Sequence, residues 1–212
     1  MKIIEYLNQH FYNLDQLLEL TQVSKQSLRR YQSKLLMPKA SYYIDFQLSC
    51  RSFFGKHQQH QSYEYYAKGY GAWLAFVDTR SDGKAVYQHF HRRYQTRVSQ
   101  LIAQDGLFNI ELVEDLDSHI ANEWQHFLDG TYGLCTRTGL PEDIAAKELA
   151  IMQINQLKDH LRLTAQQRKQ LIAAVDLLDS VSALFAPHER TQSSRERLIN
   201  QVRRQHQLPT SH

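Results

Sequence analysis

The side chains best suited to binding chemistry lie on one short predicted helix, over residues 24–35. Ser24 is placed to cap its first turn, and Leu28 and Tyr31 are placed to anchor it against a core. The remaining positions hold basic and polar side chains and no acid, a composition that suits phosphate groups and the edges of bases. The outward basic and amide residues are Lys25, Gln26, Arg29, Arg30, Gln32 and Lys34.

A second predicted helix begins after Asn13 and comes directly before this one. Asn13 and Gln16 have the spacing of a capping box, and Val23 lies in the turn between the helices. The predicted buried face of this helix consists of Leu14, Leu17, Leu18 and Leu20. Two short helices joined by a tight turn, with the outer face of the second left free, form a helix-turn-helix that can enter the major groove of DNA.

Residues 14–38, LDQLLELTQVSKQSLRRYQSKLLMP, also resemble the DNA-binding motif of the MerR family of transcriptional regulators. The resemblance runs without a gap from the leucines to Pro38, and residues 63–66 are weakly similar to the family's wing. It implies a winged-helix fold and a regulator that binds double-stranded DNA. It also implies that Arg29 and Tyr31 lie at or near the DNA backbone, with Lys25 and Gln26 near base edges.

The chain differs from the MerR pattern at three positions and in its length. Gln22 and Leu35 stand where that family usually has glycine, and Glu64 stands where it has a phosphate-binding arginine. A long insertion precedes the wing, and no long coiled-coil helix follows it. The alternative is therefore a non-catalytic module on the same scaffold, which has lost DNA contact and binds a protein partner or a second copy of itself.

A third hypothesis concerns the glycine-rich segment GTYGLCTRTGL, which connects two predicted helices within residues 130–143. Next to the positive end of a helix that begins at Pro141, it could bind an anion or a small ligand, and the pKa of its thiol could be lowered. The competing interpretation is a simple connection with Cys135 packed inside. The candidate residues are Thr131, Tyr132, Cys135, Thr136 and Arg137.

Residues 123–150, EWQHFLDGTYGLCTRTGLPEDIAAKELA, resemble a family of uncharacterised bacterial proteins. This resemblance can extend over most of the chain. It implies a bacterial origin and no particular chemistry.

The other titratable groups do not predict an enzyme, a metal site or a cofactor. Pairing Cys135 with His126 as nucleophile and base matches no family signature, and the histidines match no recognised zinc pattern. Four polar residues share one face of a predicted helix over 109–129, opposite its apolar stripe, and we interpret that face as solvated. They are Asp115, His119, Asn122 and His126.

Composition and charge limit the class of protein. The mean hydropathy is −0.55, and no apolar run approaches the roughly 18 residues of a membrane span. Residues 1–100 carry 14 lysines and arginines against 7 acids, whereas residues 101–212 carry 11 against 15. This asymmetry predicts different surfaces with different partners, and the alternative is chance clustering around a neutral mean. Two cysteines are too few for a disulfide framework. Glu5 lies where a signal peptide would have its apolar core, so no signal peptide is predicted and the expected location is the cytoplasm.

These patterns predict a mainly α fold. Residues 1–104 are expected to form a winged-helix-like half with a small β element, comprising a strand over 40–48, a weaker strand over 62–66 and a polar loop between them. Residues 105–212 are expected to form an all-helical half. Its predicted helices cover residues 109–129, residues from Pro141 onward, a span from a capping box at Thr164 to about Phe185, and residues 194–206.

Overall fold

The computed structural model describes residues 2–80, 82–103, 108 and 115–209. In the first half these form α1 (Lys2–His10), β1 (Phe11–Asn13), α2 (Leu14–Thr21), α3 (Lys25–Ser33), β2 (Tyr42–Ser52), β3 (Gly55–Ala67), α4 (Tyr70–Thr79) and α5 (Gly83–Ile102). The second half contains α6 (Leu116–Leu128), α7 (Thr131–Cys135), α8 (Pro141–Leu157), α9 (Ala165–Val181), a 3-10 turn (Arg190–Gln192), a π-helical turn (Glu196–Asn200) and α10 (Gln201–His206). A mainly helical chain with a small β element is confirmed.

The predicted helix pair is present, with the predicted caps. The Asn13 side chain accepts a hydrogen bond from the Gln16 N–H at 2.9 Å, and Gln16 Oε1 accepts from the Asn13 N–H at 3.0 Å. Ser24 Oγ accepts from the Ser27 N–H at 3.1 Å. Because these bonds satisfy amide groups that a helix start leaves unpaired, α2 and α3 begin where the sequence places them.

Both positions at which MerR proteins usually have glycine adopt the left-handed backbone conformation. Gln22, which ends α2, has φ 56°, and Leu35, which follows α3, also has φ 56°. This region favours glycine because a Cβ crowds the neighbouring carbonyl oxygen. The backbone around the helix pair therefore has glycine-like geometry at positions that hold larger residues.

The β element is a three-stranded antiparallel sheet in the order β1-β3-β2. β1 pairs only with the last three residues of β3, from Tyr65 to Ala67. Every residue of β2 pairs with β3, over the part of β3 from Gly55 to Tyr65. The polar loop predicted around Gly55, His57 and His60 is wrong, since these residues lie in β3. Residues 47–62 are exposed on both faces of the hairpin, so no apolar alternation marked them as strand.

The first hydrophobic core is centred on α4, a helix that the sequence pattern did not predict. Trp73 is fully buried, and its ring lies 4.9 Å from that of Phe127 in α6 and 6.3 Å from that of Phe90 in α5. A second cluster packs α8 and α9 with the C-terminal helical segment. The sequence pattern does not predict α4 because the helix carries apolar side chains on most of its sides, so the apolar residues show no helical periodicity.

Two further predictions for the second half need correction. The connection at 130–140 contains α7, and α9 ends at Val181 rather than near Phe185. Of the helix predicted over 109–129, the part from Leu116 to Leu128 is helical, and residues 109–114 lie outside the described residues. The division of the chain near residue 104 stays a prediction.

Replacing Leu35 with glycine is expected to stabilise the protein. Removing the Cβ at φ 56° relieves a strain of about 1–2 kcal/mol, which exceeds the roughly 0.5–1 kcal/mol of extra backbone entropy that glycine loses on folding. Leu35 is 56% exposed, so little packing is lost. Urea denaturation of Leu35→Gly should show a higher midpoint than the wild type.

The matched control is Leu161→Gly, since Leu161 is fully exposed and is not among the described residues with positive φ. This variant should gain nothing. Equal destabilisation of both variants would show that the left-handed turn carries no strain.

Candidate functional site

The outer face of α3 presents four side chains of the predicted DNA-binding set to solvent. Lys25, Gln26, Arg30 and Lys34 are exposed, while Leu28 faces the core. Within the part of the chain that the structure describes, no carboxylate forms an ion pair with Lys25, Arg30 or Lys34. This face is therefore cationic and open.

Arg29 is placed differently, because it is bound to Glu64 of β3. Its Nη2 donates to both Glu64 oxygens, at 2.6 and 2.7 Å, and its Nη1 donates to Gln32 Oε1 at 2.8 Å. The Tyr66 hydroxyl also donates to Glu64, at 2.6 Å. Burial opposes ionisation of Glu64, but the hydrogen bonds from Arg29 and Tyr66 outweigh it and lower the pKa of this carboxyl. Arg29 therefore fastens the hairpin to α3.

Tyr31, which the MerR resemblance places at the DNA backbone, is buried in this structure. Its hydroxyl donates to Asp78 Oδ1 at 2.8 Å, and the Arg30 guanidinium lies 5.2 Å from the centre of its ring. Tyr31 thus supports the position of Arg30. A direct contact between Tyr31 and DNA stays a prediction.

The β2–β3 hairpin extends the cationic surface beyond α3. Arg51 and Lys56 face each other across the strands, a like-charge pair that is unfavourable without an anion nearby. At the tip, Phe53 and Phe54 are 97% and 96% exposed. The hairpin contains no acid between Phe46 and Tyr63.

Near its base the same hairpin forms one wall of a groove beside α3. The groove has a volume of about 490 Å³, and its charged lining consists of Lys25, Arg29, Asp15, Asp45 and Glu64. Positive charge therefore concentrates on the outer face of α3 and at the hairpin tip, whereas the groove, with three acids and two cations, has a small excess of negative charge.

The glycine-rich segment is a packing element. A Cβ on Gly133 would lie 2.1 Å from Ser41 Oγ and 2.8 Å from the Tyr70 hydroxyl, so α7 packs directly against α4. Thr136 is buried, and its Oγ1 donates to the Tyr132 carbonyl and accepts from the Gly139 N–H at 2.9 Å. Thr131 and Arg137 are exposed.

The expectation of an activated thiol at Cys135 is wrong in direction. Burial raises the pKa of Cys135, and the nearby ammonium group of Lys147 opposes this without reversing it.

Beneath this segment lies a buried polar network that sequence reasoning missed. The Tyr132 hydroxyl donates to Glu123 and, at 3.1 Å, to Glu148, which also accepts from Lys147 Nζ at 3.0 Å. Glu123, Tyr132 and Lys147 are all buried. A signal was available, because Glu123 falls between Ile120 and Phe127 on the apolar face of α6.

The network continues towards α5 through His119, which the sequence pattern places on a solvated face. His119 Nε2 lies 2.8 Å from the Tyr94 hydroxyl, and its Nδ1 lies 3.9 Å from Glu123 Oε1. Among the described residues, no group of three or more His, Cys, Asp and Glu side chains is arranged to hold a metal ion. The arrangement is therefore a network of hydrogen bonds and charges around two neighbouring carboxylates.

The whole network lies inside a segment with a recognisable family. Residues 86–207 match the model of DUF6058, described as a family of unknown function. The chain belongs to this family. The match confirms the resemblance to an uncharacterised family, and it starts after β3 and α4, so it does not cover the helix pair or the hairpin.

Two other comparisons add no relative. No curated protein and no solved structure matches the chain significantly. In the part of the chain that the structure describes, no helix has both the length and the apolarity to cross a bilayer.

The two cysteines are expected to differ strongly in reactivity. Cys50 is exposed on β2, whereas Cys135 is mostly buried with a raised pKa. Because the thiolate is the reactive form, the native protein should show one fast thiol towards a disulfide reagent at pH 8, and Cys50→Ser should abolish it. A fast reaction that survives in Cys50→Ser would contradict this assignment.

Glu123 is expected to make the protein less stable as the pH rises. Burial raises the pKa of Glu123 and the charge of Glu148 adds to the rise, although the hydrogen bond from Tyr132 opposes it. When the pH rises above 4.5, the usual pKa of a glutamate, this carboxyl loses its proton in the unfolded chain but keeps it in the folded protein. The free energy of unfolding therefore falls until the pH passes the raised pKa. Relative to the wild type, Glu123→Gln should therefore gain stability as the pH rises from 4.5 to the raised pKa of Glu123.

The matched control is Glu142→Gln, which should behave in the opposite sense. Hydrogen bonds from Arg93 outweigh the effect of burial and lower the pKa of Glu142, so its contribution is lost as the pH falls. Urea denaturation across the pH range measures both differences. A gain for Glu123→Gln that does not change with pH would overturn the raised pKa.

Proposed function

We propose that the chain is a cytoplasmic protein that binds double-stranded DNA through α3 and the β2–β3 hairpin. The observation that carries the proposal is the outer face of α3, where Lys25, Gln26, Arg30 and Lys34 are exposed. Among the described residues none of the three cations forms an ion pair with a carboxylate, although the charge of Lys25 acts on Glu64. Such a face can neutralise phosphates and can present amide and guanidinium donors to base edges.

The local backbone supports the comparison with MerR regulators. The left-handed residues Gln22 and Leu35 match the positions at which those regulators use glycine, and the β2–β3 hairpin follows the helix pair, as expected of a wing. In the proposed binding mode α3 enters the major groove, and the hairpin lies along the duplex as the wing.

The hairpin has the shape and chemistry for a groove contact. Its exposed part is about six residue pairs long, roughly 20 Å, and a two-stranded ribbon of this width fits the major groove. Phenylalanine wedges flanked by cations are also a means of binding the minor groove. A nearby phosphate would relieve the repulsion between Arg51 and Lys56.

Glu64 then acts as a restraint on binding. It neutralises Arg29, the α3 side chain that contacts the hairpin, and it places a negative charge beside the proposed interface. Removing that charge while keeping the shape should release Arg29 for a phosphate.

Fluorescence anisotropy with a random duplex of about two helical turns tests the proposal. The wild type should bind at low salt, and its affinity should fall as salt increases because counterions are released. Arg30→Ala with Lys34→Ala should weaken binding and reduce the salt slope by about one for each lost phosphate contact. Glu64→Gln should strengthen binding, whereas Lys169→Ala, an exposed lysine on α9, serves as the unaffected control.

The absence of binding at low salt by both the wild type and Glu64→Gln would reject the proposal. The alternative, a protein-interaction module, is favoured by the two exposed phenylalanines at the hairpin tip. A non-binding chain that light scattering shows to be a dimer, and that Phe53→Ser with Phe54→Ser converts to a monomer, would support this alternative.

A further inference from the structure

A cavity lies where the end of α1 meets two segments of the second half of the chain. Its volume is about 290 Å³, close to the lower limit of small-molecule sites. One side is formed by α1 and β1 together with Lys68, which directly follows β3, and the other by residues 136–137 and 182–184. The cavity thus adjoins the base of the hairpin and includes two residues of the predicted anion loop, Thr136 and Arg137.

The cavity is cationic. Lys68 and Arg137 line it, and no acid is among the lining residues that the structure describes. Burial lowers the pKa of His10, and the positive charges of Lys68 and Arg190 add to this effect. The carboxylate that acts on neighbouring Tyr6 belongs to Glu189, and it is occupied by the Tyr42 hydroxyl at 2.7 Å and the Ala186 N–H at 3.1 Å.

One buried hydroxyl on the cavity wall lacks a partner. Ser182 is 1% exposed, and its Oγ makes no hydrogen bond within the described part of the chain. Thr136, paired with Ser182 in a β-bridge, has both a donor and an acceptor for its own hydroxyl. A buried polar atom without a partner is unfavourable, so a ligand oxygen would be stabilising once the Ser182 side chain turns its enclosed Oγ into the cavity.

The two cations are available to such a ligand. Lys68 forms no ion pair among the described residues, and its ammonium group lies 5.8 Å from the centre of the Tyr12 ring. The Arg137 side chain makes one long contact, 3.4 Å from Nη2 to the Asp179 carbonyl. Phe11, on the side of Lys68, and Leu184, on the side of Arg137, supply apolar parts of the wall.

We propose that this cavity binds a small anionic ligand, with an oxyanion held by Lys68, Arg137 and Ser182 and an apolar part against Phe11 and Leu184. A carboxylate and a phosphate group share the required chemistry, since each accepts charge-assisted hydrogen bonds from an arginine and a lysine. The proposal is independent of DNA binding.

Isothermal titration calorimetry of the full chain without DNA tests this site, with benzoate, phenyl phosphate and the neutral analogue benzyl alcohol as probes. The wild type should bind at least one of the two anions and should not bind the alcohol. Binding of benzoate alone identifies a carboxylate site, and binding of phenyl phosphate alone identifies a phosphate site. Lys68→Met and Arg137→Met should each weaken binding about tenfold, while Lys169→Met should not.

Ser182→Ala separates a ligand contact from a structural role. Because the hydroxyl has no partner, its removal should leave the ligand-free protein as stable as the wild type or more stable, and it should still weaken anion binding. The proposal is overturned if the wild type binds neither anion, or if Lys68→Met and Arg137→Met bind as tightly as the wild type. Arg30→Ala with Lys34→Ala should retain anion binding, so failure of the DNA proposal and failure of this one are distinguishable.

Discussion

The indole ring of Trp73 holds the N-terminal helix pair and the family-matched helices in one arrangement. Its Nε1 donates to the Leu36 carbonyl at 2.9 Å, directly after α3, while its ring packs against Phe90, Trp124 and Phe127. A buried indole must satisfy its N–H and fill a large volume at once, and here each requirement is met by a different part of the chain. The direction in which α3 presents its outer face therefore depends on α5 and α6, which lie within the DUF6058 match apart from the first residues of α5.

Charge in this protein is divided between paired groups that hold the fold and unpaired groups that suit anions. Arg29 with Glu64, and Arg203 with Asp176 and Asp179, join segments that are distant in sequence. Exposed ion pairs contribute little on their own, but these fix the hairpin to α3 and α10 to α9. The proposed DNA-binding face and the cavity at Lys68 instead contain cations without carboxylate partners among the described residues.

The sequence was informative where structure is determined locally. The caps at Asn13, Ser24 and Thr164 were predicted because a capping side chain bonds to an amide three residues away. The outer half of β3 was not, since a strand exposed on both faces has no apolar alternation. Single-sequence periodicity also misses a helix such as α4, which has apolar residues on most of its sides.

The candidate sites also consist of a part that local sequence predicts and a part that it does not. The exposed cations of α3 could be named from helical spacing, and the MerR resemblance drew attention to Gln22 and Leu35. The pairing of Arg29 with Glu64 and the network around Glu123 and Lys147 depend on contacts between distant segments, which no local pattern encodes. Likewise, the cavity at Lys68 and Arg137 exists only because β3 ends beside residues 136–137 in the folded chain.

Hydrogen–deuterium exchange of the full chain, with and without saturating duplex DNA, tests the central claim most directly. If α3 and the hairpin form the DNA-binding surface, amides in residues 25–34 and 47–62 should become protected, while those of α9 should exchange at the same rate in both samples. Unchanged exchange in α3 and the hairpin, at a DNA concentration where the protein is bound, would contradict the account.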